Sequence, residues 1–176
     1  MTAPAAPRTL VAGVGNVFLG DDGFGVEAAR LLSGRGLPPG VEVADIGIRG
    51  VHLAYRLLDG YDTLILIDAA ARGGRPGTLY VIDAADPGGG RPPRAAAPDG
   101  HRMPPDAVLA LLDTLCAATG AVPPRRTLVV GCEPATVEEG IGLSPAVAAA
   151  LPRAVRLVAG LLRDPAAAEE GDEAVV

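Results

Sequence analysis

Three side chains in this sequence have the types and placement to do chemistry together: Asp22, Asp68 and His101. Asp22 follows the first strand-like run, Asp68 closes the run TLILIDA at 63–69, and His101 ends a long Gly, Pro, Ala and Arg loop that begins at Asp83. Two carboxylates and one imidazole form an N/O donor set suited to nickel, zinc or a similar divalent ion, with coordination positions left open for another ligand. A cation there would offset the repulsion between the two acids. Plainer roles exist for each: Asp22 as a helix cap, Asp68 as an acceptor for loop amides, His101 as a solvated loop residue. Their wide separation in sequence leaves both readings open.

Other candidates carry less. The run Gly13-Val14-Gly15-Asn16-Val17-Phe18 begins like a dinucleotide fingerprint, but Phe18 replaces the third glycine and Asp21-Asp22 would repel a pyrophosphate. Every basic residue is Arg, so neither a Schiff-base lysine nor a Walker lysine exists. Ser33 and Ser144, the two serines, do not lie in a G-x-S-x-G elbow. Cys132 ends a strand on the same rim and would need His101 to act as a nucleophile; the plainer expectation is a buried thiol. Cys116 reads as core packing, His52 as a structural or surface residue, Arg49 as a turn residue exposed to a partner. Glu133, Glu138 and Glu139 read as the border of a cleft or as a solvated acidic loop.

The elements that must position these residues follow from hydrophobic periodicity. Apolar runs at 9–13, 63–69, 78–82 and 127–132, together with the mixed segment VEVADI at 41–46, predict about five strands. Helical spacing predicts a helix bearing Phe24, Ala28, Leu31 and Leu32, and a short one ending at Leu58. It predicts a third carrying Val108, Leu111, Leu112, Leu115 and Cys116. The last begins at Ser144-Pro145, an N-cap followed by Pro at N1, and shows Val147, Leu151, Val155, Val158 and Leu162 to the core, with a bend at Pro152. Alternating strands and helices imply an α/β fold with a mostly parallel sheet covered on both faces. Such sheets carry their sites at the carboxyl ends of strands.

Length and composition fit one domain, expected at 8–164 with flexible tails at 1–7 and 165–176. A net charge of -6 and an aromatic content of 3% argue against nucleic acid and anionic membranes as partners. No uninterrupted apolar run approaches the ~18 residues of a membrane span, and residues 1–8 lack the pattern of an export signal. Two cysteines without metal-ligand spacing suggest reduced thiols and a cytoplasmic protein.

The segments GVGNVFLGDDGFG at 13–25, LILIDAA around Asp68, His101, and GCEPATVEEGIGLSPAV at 131–147 together resemble the [NiFe] hydrogenase maturation endopeptidase family. The resemblance runs from about Leu10 to Leu162. It implies a monomeric three-layer α/β/α protein with a twisted sheet, of the phosphorylase/hydrolase-like kind. It also implies an endopeptidase that removes a C-terminal extension from the hydrogenase large-subunit precursor after nickel insertion. By the same resemblance the nickel-recognising and catalytic residues fall on Asp22, Asp68 and His101, with Asp21 as the fallback for Asp22. Relatives commonly carry Glu at the position of Asp22, which is one methylene shorter. The turn Asp45-Ile46-Gly47-Ile48-Arg49-Gly50 keeps the outline of a D-G-G-T-x-G-like turn but lacks its hydroxyl. The nickel is expected to arrive with the substrate, and zinc or cadmium to be able to occupy the same ligands. A non-cleaving chaperone for the nickel-loaded precursor is the alternative function.

Overall fold

The computed structural model describes residues 6–84 and 104–164. His101 and most of the long loop before it lie outside the described residues, as does the segment 165–176. Five strands form one sheet in the order β2-β1-β3-β5-β4: β1 (Thr9–Val14), β2 (Val41–Gly47), β3 (Thr63–Ala69), β4 (Leu79–Asp83) and β5 (Arg126–Cys132). All pairings are parallel except β4 with β5, which is antiparallel and closes one edge. Four helices complete the fold: α1 (Phe24–Ser33), α2 (Gly50–Leu57), α3 (Pro105–Thr119) and α4 (Pro145–Arg163).

The period of two along each strand divides the core into two layers. Val11, Ile65, Ile67, Leu128 and Val130 face α1 and α4, where Phe24, Ala28, Leu32, Val147, Val155 and Val158 meet them. Leu10, Ala12, Leu64, Leu66 and Val129 face α2 and α3, against Leu53, Leu57, Val108, Leu112 and Cys116. Phe24, fully buried, contributes roughly 2–3 kcal/mol of apolar transfer energy by itself. Strands buried on both sides explain the unbroken apolar runs: alternation would have left one face for water.

Three details depart from the periodic reading. Leu31 is exposed, because the stripe of α1 that meets the sheet runs through Phe24, Ala28, Ala29 and Leu32. On α4 the fully buried positions are Val147, Ala150, Ala154, Val155, Val158 and Leu161, with Leu151 and Leu162 at the margins. By length and composition alone, α4 is long and apolar enough to cross a membrane. Its buried face is accounted for by the sheet, as in any amphipathic core helix.

Strand order locates the crevice. From β1 the chain moves through α1 on one face to β2, then through α2 on the other face to β3 on the far side of β1. The connections therefore diverge between the carboxyl ends of β1 and β3, the topological switch point where open α/β sheets bind their ligands.

Candidate active site at the carboxyl rim of the sheet

Asp22 and Asp68 both sit at this switch point. Beyond β1 the chain turns at Gly15 (φ +128°), runs through Asn16 to Leu19, and enters a short 3-10 turn, Gly20–Gly23, that leads into α1. A Cβ on Gly15 would lie 1.9 Å from the Asp22 carbonyl oxygen and 3.7 Å from Asp68 Oδ1. The backbone of one acid and the carboxylate of the other therefore close around the same glycine. Gly25 serves the approach from behind: its missing Cβ would lie 2.0 Å from the Ile67 carbonyl oxygen, so only glycine lets α1 rest directly on β3. The glycines of the GVGNVFLGDDGFG segment thus bring carboxylates to the sheet.

Each acid is aimed by backbone amides. Asp22, 1% exposed, accepts from the Asn16 amide at 2.8 Å through Oδ2. It caps no helix: the residue preceding α1 is Gly23, and α1 has no side-chain cap. Asp68, 7% exposed, accepts from the Ala69 amide at 2.8 Å through Oδ1. That amide belongs to the last residue of β3 rather than to a loop, and the bond leaves the carboxylate at the rim. His101 lies outside the described residues. Among the described residues no three His, Cys, Asp or Glu side chains group as metal ligands.

Asp21 has a different task. Its buried carboxylate accepts from the amides of Ala135 (2.8 Å), Thr136 (3.1 Å) and Ser144 (2.7 Å) and from the Ser144 hydroxyl (2.9 Å). Burial works against its charge, but these four donors outweigh burial and hold its pKa below the ordinary carboxylate value. With both oxygens committed to the loop at 133–144, Asp21 fastens that loop to the turn after β1. Backbone bonds from Asp21 N to Thr136 O, Gly20 N to Gly140 O and Gly140 N to Phe18 O complete the fastening. Ser144 occupies the N-cap position of α4 as its sequence predicts, yet its hydroxyl donates to Asp21 instead of capping.

Glu133 also differs from expectation. It is 5% exposed, neither a solvated loop acid nor a cleft border, and accepts from the amides of Arg72 and Gly73 and the Tyr80 hydroxyl. Cys132 is buried with its thiol pushed up to about 12, first by burial and then by the charge of Asp21. A thiol so held is protonated at neutral pH and is no nucleophile. Arg49 is exposed but folds its guanidinium back onto the carbonyls of Asp45 and Ile46. His52 is exposed in the first turn of α2 and lines a surface depression with Arg8 and Glu42.

Exposed apolar side chains stand on the loops and helix starts that follow the strands, alongside the exposed Glu138 and Glu139. Phe18 is 64% exposed and Ile141 85%, with Ile48, Val51 and Val137 also exposed on loops or helix starts at this end. A shallow depression of about 320 Å³ runs between Gly20 and the loop at 136–144.

Architecture gives the class first: a three-layer α/β/α protein with two buried acids at the switch point between β1 and β3. The sequence profile described as hydrogenase maturation protease matches residues 26–161, and the chain belongs to that family. It is 35% identical over 172 residues to the hydrogenase 2 maturation protease of Escherichia coli K12, covering 96% of this chain and 95% of that protein. It is 35% identical over 173 residues to the hydrogenase expression/formation protein HoxM of Azotobacter vinelandii, covering 95% and 79% respectively. The solved structure of the E. coli hydrogenase maturating endopeptidase HybD superposes with a TM-score of 0.68 at 31% identity, covering 90% of this chain and 93% of that one. The chain is thus an endopeptidase of hydrogenase maturation.

Proposed function

We propose that the protein removes the C-terminal extension of a [NiFe] hydrogenase large-subunit precursor, and that it recognises nickel already bound in that precursor through Asp22, Asp68 and His101. The observation that carries this reading is the convergence of Asp22 and Asp68, both buried, on Gly15 at the switch point. His101 enters through the family resemblance and supplies the nitrogen donor. Nickel is here part of the substrate. Zinc or cadmium would suit the same three donors.

Recognition of the ion gives selectivity. A precursor that presents nickel gains ligands from Asp22, Asp68 and His101 and docks with its scissile bond in place; an empty one loses that anchor. In the cleavage step water adds across the peptide C–N bond, its oxygen to the carbonyl carbon and a proton to the departing amine. The ion polarises the carbonyl or acidifies the water, and a carboxylate of the rim takes the water's proton. Asp21, with four donors on its two oxygens, is poorly placed for either task. The two described thiols, Cys116 and Cys132, are free and buried, which fits a monomer working in the reducing cytoplasm.

Intact mass spectrometry of the large subunit tests this. Incubation with nickel-loaded precursor should yield a shortened subunit, while nickel-free precursor should remain full length. Equal shortening of both would contradict nickel recognition. Binding of the loaded form with no shortening would show a protein that holds without cutting.

A further inference from the structure

We infer that Glu133 is a positioning residue for Asp68, acting through the turn that follows β3; this rests on the reading of Asp68 given above. Glu133 stands just beyond β5, the strand beside β3, where Asp68 pairs with Gly131 and Ala69 with Cys132. Its Oε2 accepts from the Arg72 amide at 2.8 Å and its Oε1 from the Gly73 amide at 3.2 Å. The Tyr80 hydroxyl, from β4, donates to Oε2 at 2.8 Å. The Glu133 backbone is pinned as well, its amide to Thr78 O and its carbonyl to Gly77 N, each at 2.8 Å.

These bonds make one carboxylate the meeting point of β5, β4 and the turn at 70–73. The turn begins two residues after Asp68, and the amide that donates to Asp68 Oδ1 belongs to Ala69, the last residue of β3 and the one that leads into the turn. The orientation of that amide, and with it the direction of the Asp68 carboxylate, depends on how the chain leaves β3. Ala70 N to Cys132 O fixes that path at its start, and Glu133 fixes it two and three residues later. Arg72 also lies over the Tyr80 ring, 5.3 Å from its centroid, so Tyr80 supports the same turn from the side. A buried acid has a high desolvation cost, and three donors at one end of it compensate only while the turn keeps this shape. Carboxylate and turn thus hold each other.

The test compares Glu133→Ala, Glu133→Gln, Tyr80→Phe and Asp68→Ala by hydrogen exchange at the Arg72 and Gly73 amides and by cleavage of nickel-loaded and nickel-free precursor. Loss of a positioning group shifts a reacting partner slightly, so Glu133→Ala should lower the loaded-over-empty rate ratio about tenfold per folded molecule. Exchange at Arg72 and Gly73 should quicken. Glu133→Gln, which keeps one acceptor oxygen, should recover part of the ratio, and Tyr80→Phe should lose least. If Glu133→Ala is unfolded, the Gln and Phe variants decide by the same two readouts. An undiminished ratio with faster exchange, or unchanged exchange at both amides, would overturn the inference. Full activity in Asp68→Ala would instead remove the reading on which it rests, whatever Glu133 does.

Discussion

The two ends of the sheet treat their acids in opposite ways. At the amino end the partly exposed Glu42 meets two cations, Arg8 at 2.7 Å and Arg56 at 3.1 Å, and accepts from the Tyr61 hydroxyl at 2.9 Å. The Arg8 hydrogen bond, with Tyr61 and Arg56 adding to it against burial, draws the Glu42 pKa down to about 2. Arg8 also stacks on Tyr61, 4.4 Å from its centroid, and its amide donates to Asp62. A surface depression of about 440 Å³ lies here, but its Arg8, Arg56 and Glu42 are paired with one another and it includes neither of the switch-point acids. At the carboxyl end Asp21 and Glu133 are held by backbone amides and hydroxyls. Amides orient a carboxylate without neutralising it, so that end keeps negative potential available for an incoming cation. The amino end closes the fold; on the function proposed above, the carboxyl end receives the precursor.

The sharpest way to break this comparison is Asp68→Ala, which should slow cleavage of loaded precursor at least about a thousandfold while the fold stays cooperative. Rates from single-turnover mass spectrometry and a thermal melt would check both halves. Next in size is Asp21→Ala. It strands the amides of Ala135, Thr136 and Ser144 and should cost about 3 kcal/mol of stability by urea unfolding. Because the Asp21 pKa is lowered on folding, its contribution is fully present above the unfolded carboxylate value of about 3.9. It is lost as pH falls through the folded value, so Asp21→Asn should flatten the acid limb of a stability–pH curve. Phe18→Asp or Ile141→Asp should raise KM for the precursor several-fold, on the order of 1 kcal/mol, with kcat unchanged. Smallest is Glu42→Gln: its partly exposed ion pairs should be worth no more than about 1 kcal/mol, with activity untouched.

The fold was largely legible because its strands are buried on both faces and its helices carry regular apolar stripes. TLILIDA could be little else than a central strand ending in an acid, and β3 occupies that place. Asp22 and Asp68 were legible from the rule that parallel sheets work at their carboxyl ends. Long-range hydrogen bonding was not. Nothing adjacent to Asp21 in sequence says that its partners stand at 135, 136 and 144, so two neighbouring acids looked interchangeable where the structure gives one of them four donors. Glu133 was misjudged for the same reason: an acid beside a Glu-Glu pair reads as solvated, and its partners come from 61, 60 and 53 residues away. The available hint was its position directly after an apolar strand, the feature that singled out Asp68. Leu31 shows the converse limit, since a stripe of four helical positions fixes a face only to within one residue.

The account stands or falls on whether the rim reads the ion. Its most direct measurement is the affinity of the wild type, Asp22→Ala and Glu42→Gln proteins for nickel-loaded and nickel-free precursor, taken side by side. The wild type and Glu42→Gln should favour the loaded form by about tenfold or more, a difference of about 1.4 kcal/mol, and Asp22→Ala should bind both forms alike. A wild-type preference that survives intact in Asp22→Ala would contradict it.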